Sequence, residues 1–151
     1  MIFKSKSIQK KVYYSNMKNT TYTLFKTASI KEITDILDAE LQTRNESPIW
    51  REKAVPFANA ILSILIPLRD EKRLFTPEGK AVDELTPELF LAWSDFVSLK
   101  SLFFKVENVD REVLASYLHA NNVNIENESL DFPISVYNLH QGVSNVIKSL
   151  L

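Results

Sequence analysis

Residues 46–72 limit the folds open to this chain more than any other segment. They read ESPIWREKAVPFANAILSILIPLRDEK, which is charged at both ends and almost wholly apolar between residues 54 and 68. This apolar run has 15 residues and contains Asn59 and Ser63, whereas a membrane-spanning helix needs about 20 apolar residues. The segment therefore predicts the central helix of a globular core rather than a membrane anchor.

The apolar residues of this segment recur every three or four positions, as on the buried face of a helix. They are Trp50, Ala54, Phe57, Ala58, Ile61, Leu65 and Leu68. We expect Pro56 to bend this helix and Pro67 to end or kink it, because an interior proline removes a backbone hydrogen bond. Core packing is the expected role of Trp50 and also of Trp93.

Several other helix starts are visible in the local sequence. Ser29 and Glu32 have the spacing of a capping box, in which each side chain bonds a backbone amide of the other residue. Elsewhere a hydroxyl residue is followed by a proline, which tolerates the first helical position because no hydrogen bond is lost there. These pairs are Ser47-Pro48, Thr76-Pro77 and Thr86-Pro87.

The remaining chain continues this helical pattern. Apolar residues from 87 to about 105 predict one long buried helix, Asp110 is expected to cap a shorter one, and a last helix reaches the C-terminus. The fold class that follows is all-α: a bundle of five to six helices formed by residues 27–151, with a short extended or β-like arm over residues 1–26.

The arm differs from the rest of the chain in composition. Residues 1–26 hold six of the 18 basic residues and none of the 19 acidic ones, so the remainder is acidic. The segments KKVYYSN and TTYTLF are rich in aromatic and β-branched residues, which favours strands. Lysines interleaved with tyrosines are also found where single-stranded nucleic acid is held. The candidate phosphate contacts are Lys4, Lys6, Lys10 and Lys11.

No pattern of a catalytic or cofactor site is present. The chain has no cysteine, and its only glycines are Gly79 and Gly142, so no glycine-rich phosphate loop can be written from it. His119 and His140 lack a metal-binding spacing and are expected to be surface or capping groups. We therefore predict a non-enzymatic interaction domain without metal or cofactor.

The order of these segments resembles the coupling-protein ATPases of bacterial type IV secretion and conjugation, the TraG/TraD/DotL type. In that family a strand leads to a Y-N-P-[LF] segment, a helix that starts S-x-x-E-[IL], and a P-x-W motif that opens a long helix with an LRD-like end. The matching positions here are Tyr22 to Phe25, Ser29 to Ile33, Pro48 to Trp50 and Leu68 to Asp70. Thr23 and Leu24 stand where the family has Asn and Pro.

The resemblance covers about residues 10–151 and corresponds to the all-α domain that the family inserts into its RecA-like motor domain. It implies that residues 1–26 are a remnant of the motor domain and that the nucleotide-binding motifs lie in flanking sequence. It further implies a hexameric, membrane-anchored parent protein. This domain would then be soluble and monomeric alone, and would lie at the cytoplasmic face of the bacterial inner membrane.

The implied function is recognition of a secretion adaptor, an effector or a relaxosome protein, together with control of the ATPase. The segment VNIENESLDF carries three acids and no base, and an acidic surface selects basic partners. Glu126, Glu128 and Asp131 are therefore the candidate partner-binding residues. Two alternatives stay open: a self-contained helical adaptor or chaperone that binds a partner helix in a groove, and a nucleic-acid binder that uses the lysine arm.

Overall fold

The computed structural model describes residues 21–45, 47–129 and 133–151, and within them the fold is all-α, as predicted. The helices are α1 (residues 21–27), α2 (Ile30–Thr43), α3 (Pro48–Asp70), α4 (Pro87–Ser94), α5 (Phe96–Lys105), α6 (Glu112–Ala120) and α7 (Ile134–Leu150). One isolated antiparallel bridge pairs Phe75 with Ala81 between α3 and α4. None of the described helices is long and apolar enough to cross a membrane.

Helix α3 is the centre of the bundle and contacts α2, α4, α6 and α7. Its apolar residues from Ala54 to Leu68 are almost all buried, which confirms the prediction of a core helix. Trp93 is fully buried as well, and its indole nitrogen donates to the carbonyl oxygen of Phe75 over 3.0 Å. Trp50 is half-buried, and a Cβ placed on Gly142 would lie 2.6 Å from its ring. A glycine is therefore what allows α7 to lie so close to α3.

Helix α3 continues past both of its prolines and ends at Asp70, so of the predicted end or kink at Pro67 the end is wrong. The turn that follows Pro67 is stabilised by tertiary contacts. Leu68 is buried, and the Arg69 guanidinium donates to the carbonyl oxygen of Phe25 over 3.1 Å. These contacts offset the hydrogen bond that Pro67 cannot make.

Residues 21–26 were expected to be part of an extended arm, but residues 21–27 are helical, so this part of the prediction is wrong. The physical reason is the burial of Phe25, which is 0% exposed and packs its ring 5.5 Å from that of Phe90. Strand preference is weak where packing decides the conformation. The rest of the predicted arm, residues 1–20, lies outside the described residues.

The single helix predicted from 87 to about 105 is divided into α4 and α5 at Asp95. Asp95 has extended backbone angles, φ −62° and ψ 138°, and its carboxylate accepts the amide of Ser98, so it acts as the N-cap of α5. The break leaves the carbonyl oxygens in the last turn of α4 without partners in that helix. One of them, that of Ser94, accepts a hydrogen bond from the ring of His140 in α7.

Of the four helix starts predicted from a capping box or a hydroxyl-proline pair, three are confirmed, including Ser47-Pro48 at the start of α3, and one is wrong. The capping box of Ser29 and Glu32 is present, and Thr86 caps α4 through a 3.1 Å bond from the amide of Leu89. Thr76-Pro77, by contrast, opens a tight turn in which the amide of Gly79 donates to the carbonyl oxygen of Thr76. Gly79 has a φ of 91°, which glycine adopts readily but which lies outside the α-helical region. No helix therefore starts at Pro77.

Replacing Pro56 by alanine is expected to raise the free energy of unfolding by about 1–3 kcal/mol, because an interior proline is about 3 kcal/mol less favourable than alanine in a helix. Pro56 is exposed, so little packing is lost with its ring. Urea-induced unfolding of Pro56→Ala measures the change. Pro48→Ala is the matched control, since proline at the first helical position forgoes no bond and should leave stability nearly unchanged. Equal effects of the two substitutions would contradict this account.

Candidate binding groove

A groove of about 440 Å³ runs along the N-terminal half of α3, between α6 and α7. Each helix contributes residues that recur three or four positions apart, together with one direct neighbour, so they lie on one helical face. From α3 these include Glu52, Pro56 and Asn59; from α6 Val113, Ser116, Tyr117 and Ala120; and from α7 Leu139, His140 and Val143. A cleft of this size is within the range of ligand and side-chain binding pockets.

The two walls of the groove expose apolar side chains to solvent. Five large apolar side chains in the described residues are more than a third exposed, and two of them, Val113 and Leu139, line this groove from α6 and α7. Single exposed apolar residues are common on soluble proteins. Their pairing on opposite walls of one cleft is instead typical of a surface that a partner covers.

The most unusual group in the groove is His140, which is 4% exposed although it also lines the cleft. Its ring lies between those of Phe57 and Phe96, each with a centroid 4.7 Å away. The prediction of a surface or capping role is therefore wrong for His140, because the residue lies in mid-helix on the face of α7 that packs on the core. His119 is exposed in the last turn of α6, as predicted.

Both ring nitrogens of His140 have a polar neighbour. Nε2 lies 3.0 Å from the carbonyl oxygen of Ser94, and Nδ1 lies 3.4 Å from the hydroxyl oxygen of Tyr117. A carbonyl oxygen only accepts hydrogen bonds, so Nε2 carries the proton. Nδ1 is then an acceptor, and the 3.4 Å separation from Tyr117 exceeds the usual hydrogen-bond length of about 2.7–3.2 Å.

Burial keeps this pair of side chains uncharged. Loss of hydration lowers the pKa of His140 to about 4, although the bond to Ser94 and the charge of Asp95 act in the opposite direction. Burial also raises the pKa of the Tyr117 hydroxyl far above its ordinary value. At neutral pH the groove therefore presents a neutral imidazole acceptor beside a protonated phenol.

The predicted site residues lie elsewhere. Glu126 and Glu128 are exposed in the connection between α6 and α7, and neither lines the groove. The connection is shaped by two turns in which the side chains of Asn124 and Asn127 accept the amides of Glu126 and Ser129. Asp131 falls outside the described residues, as do Lys4, Lys6, Lys10 and Lys11, so those predictions stay predictions.

The connection is attached to the bundle by Lys100. This lysine of α5 is 1% exposed, and its ammonium donates to the carbonyl oxygen of Ser129. A smaller cavity of about 220 Å³ beside it is lined in part by Glu128 and Lys105. The structure thus brings Glu128 near two lysines but does not bring it to the groove.

The groove was not predicted, because Val113 and Leu139 read as core positions of their helices. One signal was available: α6 carries apolar residues at Val113, Leu114, Tyr117 and Leu118, which is a wider face than a nine-residue helix on a bundle surface needs to bury. Only Leu114 and Leu118 are buried. In the described part of the chain, no group of three or more histidine or carboxylate side chains is arranged to hold a metal ion.

No family model, no curated protein and no solved structure matches this chain.

Acidification is expected to destabilise the protein through His140. The folded-state pKa is about 4 and the unfolded value about 6.5, so the unfolded state binds more protons between these pH values. The contribution of neutral His140 to the free energy of unfolding is therefore fully present above pH 6.5. It is lost as the pH falls towards 4, which lowers the free energy of unfolding by roughly 3 kcal/mol. Urea unfolding at pH 7 and pH 4.5 measures the loss.

The matched variant for this measurement is His140→Gln, whose amide can still donate to Ser94 but does not titrate. Carboxylates contribute equally to the pH dependence of both proteins, so the difference between them isolates the histidine. The variant should lose less stability than the wild type over the same interval. An identical pH dependence of the two proteins would show that His140 is not held neutral by burial.

Proposed function

We propose that this chain is a non-catalytic recognition and regulatory domain of a bacterial type IV secretion coupling protein. The recognition role is carried by one observation, the open groove between α6 and α7 with Val113 and Leu139 exposed on its walls. Exposed apolar side chains on both sides of a cleft can be covered by one apolar face of a partner, as when a helix docks in a groove.

Assignment to a coupling protein is supported by the positions of the resembling motifs. Ser29 and Glu32 form the capping box that starts α2, and Pro48 is the first residue of α3. The LRD segment, Leu68 to Asp70, is the last turn of the same helix. Three of the four matching segments thus lie at the start of α2 and at the two ends of α3, whereas Tyr22 to Phe25 lies within α1.

On this proposal the domain lies at the cytoplasmic face of the inner membrane, attached to a motor domain encoded in flanking sequence. Its partners are a secretion adaptor, an effector or a relaxosome protein. Glu126 and Glu128, both exposed in the connection between α6 and α7, add an acidic surface that steers basic partners towards the domain.

The test of the proposed function is affinity capture from cells of the source bacterium with the full chain as bait, followed by mass spectrometry. We expect an adaptor, effector or relaxosome component of a secretion system among the proteins enriched over an unrelated acidic helical bait. If the two baits enrich the same set of proteins, the proposal is wrong.

Charge reversal of the connection is expected to weaken capture of such a partner. The double variant Glu126→Lys, Glu128→Lys should lower its affinity about 3- to 30-fold at low salt, since surface charges contribute up to about 1 kcal/mol each. The effect should shrink as the salt concentration rises. Affinity is measured by titration of the captured partner against immobilised domain.

The matched control is Asp35→Lys, Asp83→Lys, which changes the net charge equally at two other exposed sites, one on α2 and one before α4. It should leave affinity near that of the wild type. Equal losses in the two double variants would mean that only the total charge matters, and that Glu126 and Glu128 form no specific surface.

A self-contained helical adaptor or chaperone is the second candidate, because the groove alone would serve that role equally well. The two candidates differ in what surrounds the coding sequence. A phosphate-binding loop upstream and an acidic metal-binding motif downstream, in the same reading frame, support the coupling protein. An open reading frame that ends at residue 151 and begins at residue 1 supports the adaptor.

A further inference from the structure

We propose that the cavity beside Lys100 binds a small oxyanion, a phosphate or carboxylate group, between two lysine side chains of α5. This cavity shares no lining residue with the groove between α6 and α7. The inference follows from a buried positive charge that no carboxylate of the described residues neutralises. It goes beyond the proposed function and does not depend on it.

The cavity, of about 220 Å³, is built on one face of α5. Its residues from this helix recur three or four positions apart, as the side chains of one helical face do. Glu128 lines it from the connection between α6 and α7, so the lining carries two positive charges and one negative charge. The lining residues of α5 are Val97, Lys100, Ser101, Phe104 and Lys105.

Lys100 is the residue that distinguishes this cavity from an ordinary surface depression. Its side chain is 1% exposed, and its ammonium donates to the backbone carbonyl oxygen of Ser129. That oxygen uses one of the three N–H donors and does not neutralise the charge. None of the ion pairs among the described residues includes Lys100. Lysine is almost never fully buried unless it is paired, because an ammonium loses its hydration on burial.

Two further donors face the same cavity. The ammonium of Lys105, five residues further along α5, donates to the carbonyl oxygen of Pro77 over 3.0 Å and is also absent from the ion pairs of the described residues. Ser101 lies between the two lysines on this face and adds a hydroxyl group. Two ammonium groups that contact only neutral acceptors, with a hydroxyl between them, are suited to an anion.

Glu128 lines the cavity without neutralising either lysine. Its side chain is exposed, and within the described residues it takes part in no ion pair. A carboxylate at this position repels an incoming anion, and it leaves the net charge of the lining positive. Removal of its charge should therefore strengthen anion binding, which is the opposite of the effect expected from the loss of a lysine.

An oxyanion matches these donors better than a halide does. Its several oxygens accept hydrogen bonds from separate donors at once, and hydrogen bonds between charged groups are the strong ones. Attachment of the connection to α5 would not by itself explain Lys100, because an uncharged donor would make the same bond without the cost of a buried charge. Phosphate and acetate represent the two sources of an oxyanion and are compared below.

The first experiment titrates inorganic phosphate, and separately acetate, into the full chain at pH 7 and is followed by ¹H–¹⁵N NMR. Sodium chloride keeps the ionic strength constant, so that general screening does not change. We expect saturable shifts at Ser101, Lys105 and Ser129. The dissociation constant for phosphate should be about 1 mM, since so small a ligand gains little beyond its charged contacts. The tighter ligand identifies the oxyanion that the site selects, and saturation by neither would overturn the inference.

The variants separate the site from the total charge of the protein. Lys100→Met and Lys105→Met should each weaken binding by about tenfold or more, the value of a hydrogen bond to a charged group. The matched control is Lys148→Met, which changes the net charge equally at an exposed position in the last turn of α7 and should leave affinity unchanged. Glu128→Gln should tighten binding about two- to fivefold. Equal affinities of Lys100→Met and Lys148→Met would contradict the proposal.

Thermal unfolding distinguishes a binding site from a structural tether. Without phosphate, Lys100→Met should be no less stable than the wild type, because a buried charge is removed and the carbonyl group of the exposed Ser129 can bond to water. Phosphate should raise the Tm of the wild type and leave that of the variant unchanged. A large fall in the Tm of Lys100→Met, with no effect of phosphate on either protein, would show a tether and overturn the inference. If Lys100→Met does not fold, Lys105→Met and Glu128→Gln, both at exposed positions, still decide the question by their opposite effects on affinity.

Discussion

A single hydrogen bond, from Nε2 of His140 to the carbonyl oxygen of Ser94, determines which ring nitrogen of His140 carries the proton. That carbonyl is available because α4 ends at Ser94, where Asp95 starts a new helix and leaves the last turn of α4 without internal partners. The bond satisfies both groups and fixes the proton on Nε2. The acceptor that faces Tyr117 is thus a consequence of a helix break on a different part of the bundle.

The packing of α3 supplies the rest of the site. Because α2, α4, α6 and α7 all contact it, α3 sets the positions of the helices that form the groove walls. Gly142 lets α7 lie close to Trp50, and α6 buries only Leu114 and Leu118. The outward residues of these helices, together with Pro56 of α3, then line the cleft. The groove is therefore formed by the bundle helices, with Asn121 as its lining residue from the connection between α6 and α7.

The sequence predicted those features that local chemistry decides. The capping box at Ser29, the start of α3 at Pro48 and the burial of its apolar face all follow from spacing alone. The helix over 21–27, which it did not predict, depends on a residue far away in the chain, because Phe25 packs on Phe90. The break at Asp95 is capped locally by the amide of Ser98, and it lies between Trp93 and Phe96, which are both fully buried.

The candidate site could not be predicted for the same reason. Whether Val113 and Leu139 are core or surface depends on how far α6 and α7 stand apart, and the burial of His140 depends on Phe57 and Phe96 around it. No spacing rule contains that information. The candidate partner-binding residues Glu126 and Glu128, by contrast, are exposed in the connection between α6 and α7, although the groove lies elsewhere.

The protonation of His140 is the most direct measurement of this account. A long-range ¹H–¹⁵N correlation spectrum of the full chain, recorded from pH 7 downward, distinguishes the two neutral tautomers and the imidazolium. We predict a proton on Nε2 and none on Nδ1 at pH 7, with the imidazolium appearing only as the pH approaches about 4. A proton on Nδ1, or an imidazolium at pH 7, would contradict the account, because the groove would then offer no acceptor.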